Sequence, residues 1–162
     1  MENGSARPPA VTPARLQAAV AACRKAGAEL VYLFGSQARG KAWSQSDVDL
    51  AVLLGSSLAK ERHGQIRIQL IAELMSIFRS NNIDVVVLND APPLLTYEGV
   101  IRRGRLLFEK DRLARIRFEV RAFQEYVDTA PLREVQNRYL KEAIQARAAT
   151  LPREDGKQGH TW

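Results

Sequence analysis

Asp47 and Asp49, in the run Ser46-Asp47-Val48-Asp49-Leu50-Ala51-Val52, are the residues of this chain best equipped for chemistry. Alternate side chains of a strand share a face, so both carboxylates project from one side, about 6.6 Å apart along the backbone. Two unit charges about 4 Å apart repel by roughly 4 kcal/mol at an effective dielectric of 20. A converging acidic pair therefore calls for bound cations or a raised pKa, and metal is the simpler answer. Asp84, near the start of Asn82-Ile83-Asp84-Val85-Val86-Val87-Leu88, is a third carboxylate that a neighbouring strand could present. Three carboxylates on adjacent strands can hold two magnesium ions, and paired ions about 3.5–4 Å apart suit in-line displacement at phosphorus.

Gly35-Ser36 stands ten residues upstream of the aspartates and supplies the other half of such a site. Gly35 lets backbone approach a ligand closely, and Ser36-Gln37-Ala38-Arg39 can open a short helix whose free N–H groups, hydroxyl and guanidinium face an anion. Arg39 would add a bidentate phosphate contact. A G-S turn alone is usually only a turn, and a D-x-D on an exposed strand is usually solvated charge. Their combination, with strands in the required places and a third aspartate, is what points to phosphate chemistry. Asp84 taken alone also suits a strand-entry turn with Asn81 and Asn82.

The elements that must position these groups are legible from periodicity. Thr12-Pro13 reads as a cap and first-turn proline, and Leu16, Val20 and Cys23 repeat at helical spacing up to Gly27. Glu29 to Phe34 reads as a buried strand running into the Gly35 turn, and Gly40 to Ser46, including Lys41, as the loop to the Asp47 strand. Lys41 reads either as a solvated lysine or as one that leans toward a triphosphate. Glu61 to Ser80 carries Ile66, Leu70, Leu74, Ile77 and Phe78 on one stripe, a crossover helix leading to the Asp84 strand. Pro92-Pro93 opens a short helix ended by Gly104, and Arg105 to Phe108 forms a fourth strand. Leu113, Ile116, Val120, Phe123 and Val127 then make one apolar stripe, expected to pack on the chain's own sheet, and a second helix runs from Pro131 to about Ala148. The expected fold class is α/β (α+β), a small mixed sheet backed by helices with a C-terminal helical extension. Residues 1–11 are expected to be flexible, 12–110 to form the catalytic domain, 111–150 to be helices packing on it or on a partner, and 151–162 to be a loose tail.

These residues resemble a known family, the polymerase-beta-like nucleotidyltransferases, and among them the minimal nucleotidyltransferases of the MntA antitoxin type. Phe34-Gly35-Ser36-Gln37-Ala38-Arg39-Gly40, Ser46 to Val52 and Ile83-Asp84-Val85-Val86 stand in the family's order, and Tyr97 to Asp111 is similar to the segment that follows. The resemblance covers roughly residues 12–128. It implies transfer of AMP from ATP to a tyrosine of a HEPN-domain ribonuclease toxin, with release of pyrophosphate. It implies that Asp47, Asp49 and Asp84 hold two Mg2+ ions and that Asp84 helps deprotonate the tyrosine. It also implies that Gly35, Ser36, Gln37 and Arg39 seat the nucleotide, and that the toxin forms a complex with the chain. The rival readings are a nucleotidyltransferase acting on a small hydroxylated compound such as an aminoglycoside, and an antitoxin that acts by binding alone.

Composition bounds the remainder. The 162 residues are 46% hydrophobic, enough for an ordinary single-domain core. Cys23 is the sole cysteine and reads as a buried free thiol rather than a reactive one. With no leader and no apolar run of bilayer length, the expected compartment is the cytoplasm. The net charge is +6, with six Lys/Arg against eight Asp/Glu in residues 28–100 and fourteen against nine in residues 101–162. Arg102, Arg103, Arg105, Arg112, Arg115, Arg117 and Arg121 read either as a basic face for nucleic acid or an acidic protein, or as a solvated face mixed with Glu109, Asp111, Glu119 and Glu125. Few and scattered aromatics give no stacking platform, so direct nucleic-acid binding is not expected and a protein acceptor is the economical one.

Overall fold

Thr12 caps the first helix through its hydroxyl, which accepts from the Arg15 N–H at 3.2 Å, and Pro13 occupies the first turn, where no N–H is needed. The computed structural model describes residues 11–40 and 47–149. The chain divides into two units, residues 1–126 and 127–162. Expectations for the termini and for the loop carrying Lys41 lie outside the described residues.

In the first unit, α1 (Pro13–Lys25) leads through Gly27, at φ +97°, to β1 (Ala28–Phe34). The short α2 (Gly35–Ala38) follows, then β2 (Val48–Leu54), a 3-10 turn, α3 (His63–Phe78) and β3 (Ile83–Val87). A π-helical segment (Leu95–Ile101) follows, β4 (Arg105–Glu109) completes the sheet, and the unit ends at Tyr126 in the last turn of α4 (Arg112–Asp128). The sheet is mixed, in the order β3-β2-β1-β4. β1 pairs antiparallel with both β2 and β4, whereas β3 lies parallel to β2, as the α3 crossover requires.

Period-2 alternation sends the strands' apolar residues to two cores. One face carries Val31, Leu33, Leu50, Val52 and Val85 against Cys23 of α1 and Leu70, Leu74 and Phe78 of α3. The other carries Leu30, Tyr32 and Ala51 against Val100 and Phe118. The α3 stripe is core, as its spacing predicts. Cys23 is fully buried, and burial pushes its thiol up to about 12.

The predicted α4 stripe does not pack on the sheet. Leu113, Ile116, Val120, Phe123 and Val127 are all exposed, while Phe118 and Ala122 are buried. The reason is polar. The Tyr32 hydroxyl donates to Glu119 at 2.8 Å, and Arg115 bonds both Glu119 and Glu109. This network fixes the Arg115/Phe118/Glu119/Ala122 face of α4 toward β1 and turns Leu113, Ile116 and Val120 outward, while the half-exposed Phe123 ring leans on Tyr97 at 5.1 Å between centroids. It also withdraws Arg115 from the expected basic face, while Glu98 holds Arg102 at 2.9 Å.

In the second unit, α5 (Ala130–Ala149) carries Leu132, Val135, Tyr139, Leu140 and Ile144, all exposed. No helix among the described residues is long and apolar enough to cross a membrane.

Candidate active site

The C-terminal end of β1 meets the N-terminal ends of β2 and β3, and most of the expected site residues gather there. Phe34 is the register partner of Asp49, and Asp49 is in turn the partner of Asp84 across the parallel pair. Asp49 shares its sheet face with Ala51, and Asp84 shares its face with Val86, so both carboxylates lie on the Val100/Phe118 side. Asp47, one residue before β2, is exposed.

Gly35 has φ +70°, the left-handed region that side chains other than glycine's enter at a cost. Its environment is stricter than its backbone: a Cβ added there would lie 2.2 Å from Asp49 Oδ2 and 3.1 Å from Asp49 Cγ. The missing side chain of Gly35 is thus the space the Asp49 carboxylate occupies. This contact joins the G-S turn to the D-x-D strand.

Asp49 is only half-buried, yet its carboxyl is raised above the usual range, first by desolvation and then by the charges of Asp47 and Asp84. Neither Asp47 nor Asp49 makes a hydrogen bond or ion pair among the described residues. Unpaired, mutually repelling oxygen donors are what a hard cation would relieve. Asp84 differs. Its Oδ1 accepts from Arg67 Nη2 at 2.9 Å and from the Val85 N–H at 2.9 Å. Among the described residues no three His, Cys, Asp or Glu side chains converge into one metal-sized cluster. Asp47 and Asp49 thus offer oxygen donors of the kind a divalent ion takes, and Asp84 offers its Oδ2, because Arg67 and the Val85 N–H both engage Oδ1.

Arg67 was not singled out by the sequence. It sits on the exposed side of α3, and β3 is an edge strand whose unpaired Val85 carbonyl receives Arg67 Nε at 2.6 Å. The guanidinium covers that edge and pairs Asp84 at the same time. An arginine among α3's surface residues carries no sequence signal for this, because the pairing spans seventeen residues and depends on the crossover.

The expected anion-facing groups lie on α2. Arg39 Nε donates to the Gly35 carbonyl at 3.3 Å, tying the guanidinium back over the turn, and the Ser36 hydroxyl makes no hydrogen bond among the described residues. Gln37 is half-buried and has a partner of its own. Residues 41–46 lie outside the described set.

A family model described as Polymerase beta, Nucleotidyltransferase matches residues 20–113, the span that holds every one of these side chains. The chain belongs to that family. Within it, the fold matches a solved chain of a toxin–antitoxin complex with AMP-PNP at a TM-score of 0.66 and 25% identity, covering 77% of this chain and 98% of that one. A chain of the MntA–HepT toxin–antitoxin complex matches at 0.62 and 23%, covering 80% and 99%. A chain from the complex of tri-AMPylated Shewanella oneidensis HEPN toxin with MNT antitoxin matches at 0.61 and 23%, covering 78% and 97%. These likenesses show that this nucleotidyltransferase shares the fold of those chains. No curated protein sequence is significantly similar to it.

Proposed function

We propose that this nucleotidyltransferase moves AMP from ATP to a tyrosine of a HEPN-type toxin protein, releasing pyrophosphate and neutralising the toxin in the cytoplasm. The observation that carries this reading is the Asp49 carboxylate seated against Gly35, which joins a turn suited to phosphate and the Asp47/Asp49 acidic pair into one site. Family membership supports the reaction class. The AMP-PNP complex supports the nucleotide and the type of partner, and the AMPylated toxin held by a similar chain supports the acceptor.

Each group has a role that its chemistry allows. Gly35 keeps side-chain bulk out of the corner where the triphosphate meets Asp49. Ser36 and Arg39 supply a hydroxyl donor and a guanidinium for phosphate oxygens, with Gln37 beside them on the same turn. Asp47 and Asp49 would hold Mg2+, with Asp84 joining through Oδ2 while Arg67 stays on Oδ1. When bound, magnesium lowers the pKa of the attacking hydroxyl and offsets charge on the leaving pyrophosphate. Asp84, on the same face as Asp49, would accept the tyrosine proton. The phenolic oxygen forms its bond to the α-phosphorus as the bond from that phosphorus to the bridging oxygen breaks. The protein's share is positioning and electrostatics.

Incubation with ATP, Mg2+ and a HEPN protein encoded beside this chain should raise that protein's mass in steps of one AMP. Asp47→Asn should end the transfer while the thermal midpoint holds. An unmodified partner refutes the protein-acceptor reading, and an active Asp47→Asn variant refutes the metal assignment.

A further inference from the structure

We propose that the outward face of α4 is the docking surface for the acceptor protein, and that what it receives is a helix whose apolar seam is flanked by acidic residues. Leu113, Ile116, Val120 and Phe123 follow one another at intervals of three, four and three, the spacing by which one helix meshes its side chains with another. All four are exposed, from 41% for Ile116 to 55% for Leu113. A stripe of this kind on a helix whose opposite face is already anchored by Tyr32, Arg115 and Glu119 is not spare core.

Charge selects the partner. Arg112, Arg117 and Arg121 are exposed and make no hydrogen bond or ion pair among the described residues. Arg112 and Arg117 fall at the flanking positions of the seam, where helix pairs place the charges that choose their partners. Arg117 and Arg121 also line, with Lys110, Glu29 and Asp111, a cavity of about 580 Å3 backed by Leu30, Leu53 and Phe118. A second copy of the chain would bring the same three arginines against its own, so like-charge repulsion disfavours self-association. An acidic helix gains at Arg112, Arg117 and Arg121, and its apolar seam is covered as in other amphipathic helices bound to apolar grooves.

The surface rests on the protein-acceptor reading for its biological meaning, but not for its detection. The test uses two synthetic amphipathic peptides with Leu and Ile at the seam positions, one flanked by Glu and the other by Lys, titrated against the full chain by fluorescence anisotropy. The Glu peptide should bind at least tenfold more tightly than the Lys peptide. Leu113→Glu/Val120→Glu should weaken it at least tenfold, with an unchanged thermal midpoint showing that the variant is folded. Asp47→Asn should bind the Glu peptide like the parent, because the seam is separate from the carboxylates. Absence of binding, equal binding of both peptides, or a sedimenting dimer that Leu113→Glu/Val120→Glu converts to monomer would each overturn the proposal. Selective peptide binding with no AMP transfer to any protein would leave the surface standing and defeat the acceptor reading. Transfer to a protein that proceeds unchanged in the stripe variant would defeat the surface alone.

Discussion

Replacing Gly35 by alanine tests the contact that builds the site. Two costs add. At φ +70° an L side chain meets a left-handed penalty of about 1–2 kcal/mol. The new methyl would also stand 2.2 Å from Asp49 Oδ2, so either the carboxylate rotates away or β1 and β2 shift, for about 1–3 kcal/mol more. Gly35→Ala should therefore destabilise by roughly 2–5 kcal/mol, which lowers the melting temperature by roughly 4–20 °C in a chain of this size. It should also lose nucleotidyl transfer, because the displaced group is the carboxylate proposed to hold Mg2+. The two costs separate in a double-mutant cycle read by thermal and urea melts. Asp49→Ala removes Oδ2 and Cγ and leaves the Asp49 Cβ at 3.4 Å from the new methyl, an ordinary contact. In that background Gly35→Ala should cost only the backbone share, a coupling of at least about 1 kcal/mol. Equal costs in both backgrounds would show that the carboxylate does not fill the glycine's empty position. A cost near zero would refute the left-handed turn as well.

Asp49→Asn should raise the melting temperature in metal-free buffer at pH 7, because folding holds the Asp49 carboxyl above its usual range. A raised folded-state value means the charged form penalises the fold above that value. The gain should therefore shrink as pH falls through the folded value toward the unfolded one near about 3.9, and a gain that persists at lower pH would contradict the assignment. Arg67→Gln removes the cation that holds Asp84 at 2.9 Å. It should lower the Mg2+ concentration that half-saturates transfer several-fold while costing under about 1 kcal/mol of stability, since both partners are about half exposed. An unchanged Mg2+ requirement would show that Arg67 does not compete with the ion for Asp84. Cys23, fully buried with its thiol pushed up to about 12, should resist iodoacetamide at pH 8 until the chain is unfolded in guanidinium. Rapid labelling of the folded chain would place it elsewhere than in the α1 core.

The sequence by itself determined the elements and the chemical character of the site. Alternation in Val48–Leu54 and Ile83–Val87, the Thr12-Pro13 cap and the α3 stripe are local signals, since strand and helix periods leave their mark on neighbouring residues. The same locality made Gly35-Ser36 and Asp47/Asp49 readable, because ten residues separate the turn from the acids and one antiparallel pairing brings them together. Three things were decided only by the tertiary structure. The seat of Asp49 in the space a Cβ at Gly35 would fill depends on the register of β1 against β2. The capture of Asp84 by Arg67 depends on α3 crossing over so that its outer side meets an edge strand. The orientation of α4 is the clearest case, because its large hydrophobics form the better stripe by spacing and yet face outward. A buried Tyr32 hydroxyl needs a partner, Glu119 supplies it with Arg115 behind, and leaving that hydroxyl unpaired would cost about as much as burying another aliphatic side chain gains. Periodicity reports that a helix has two faces, and only the groups waiting on the sheet determine which of them turns inward.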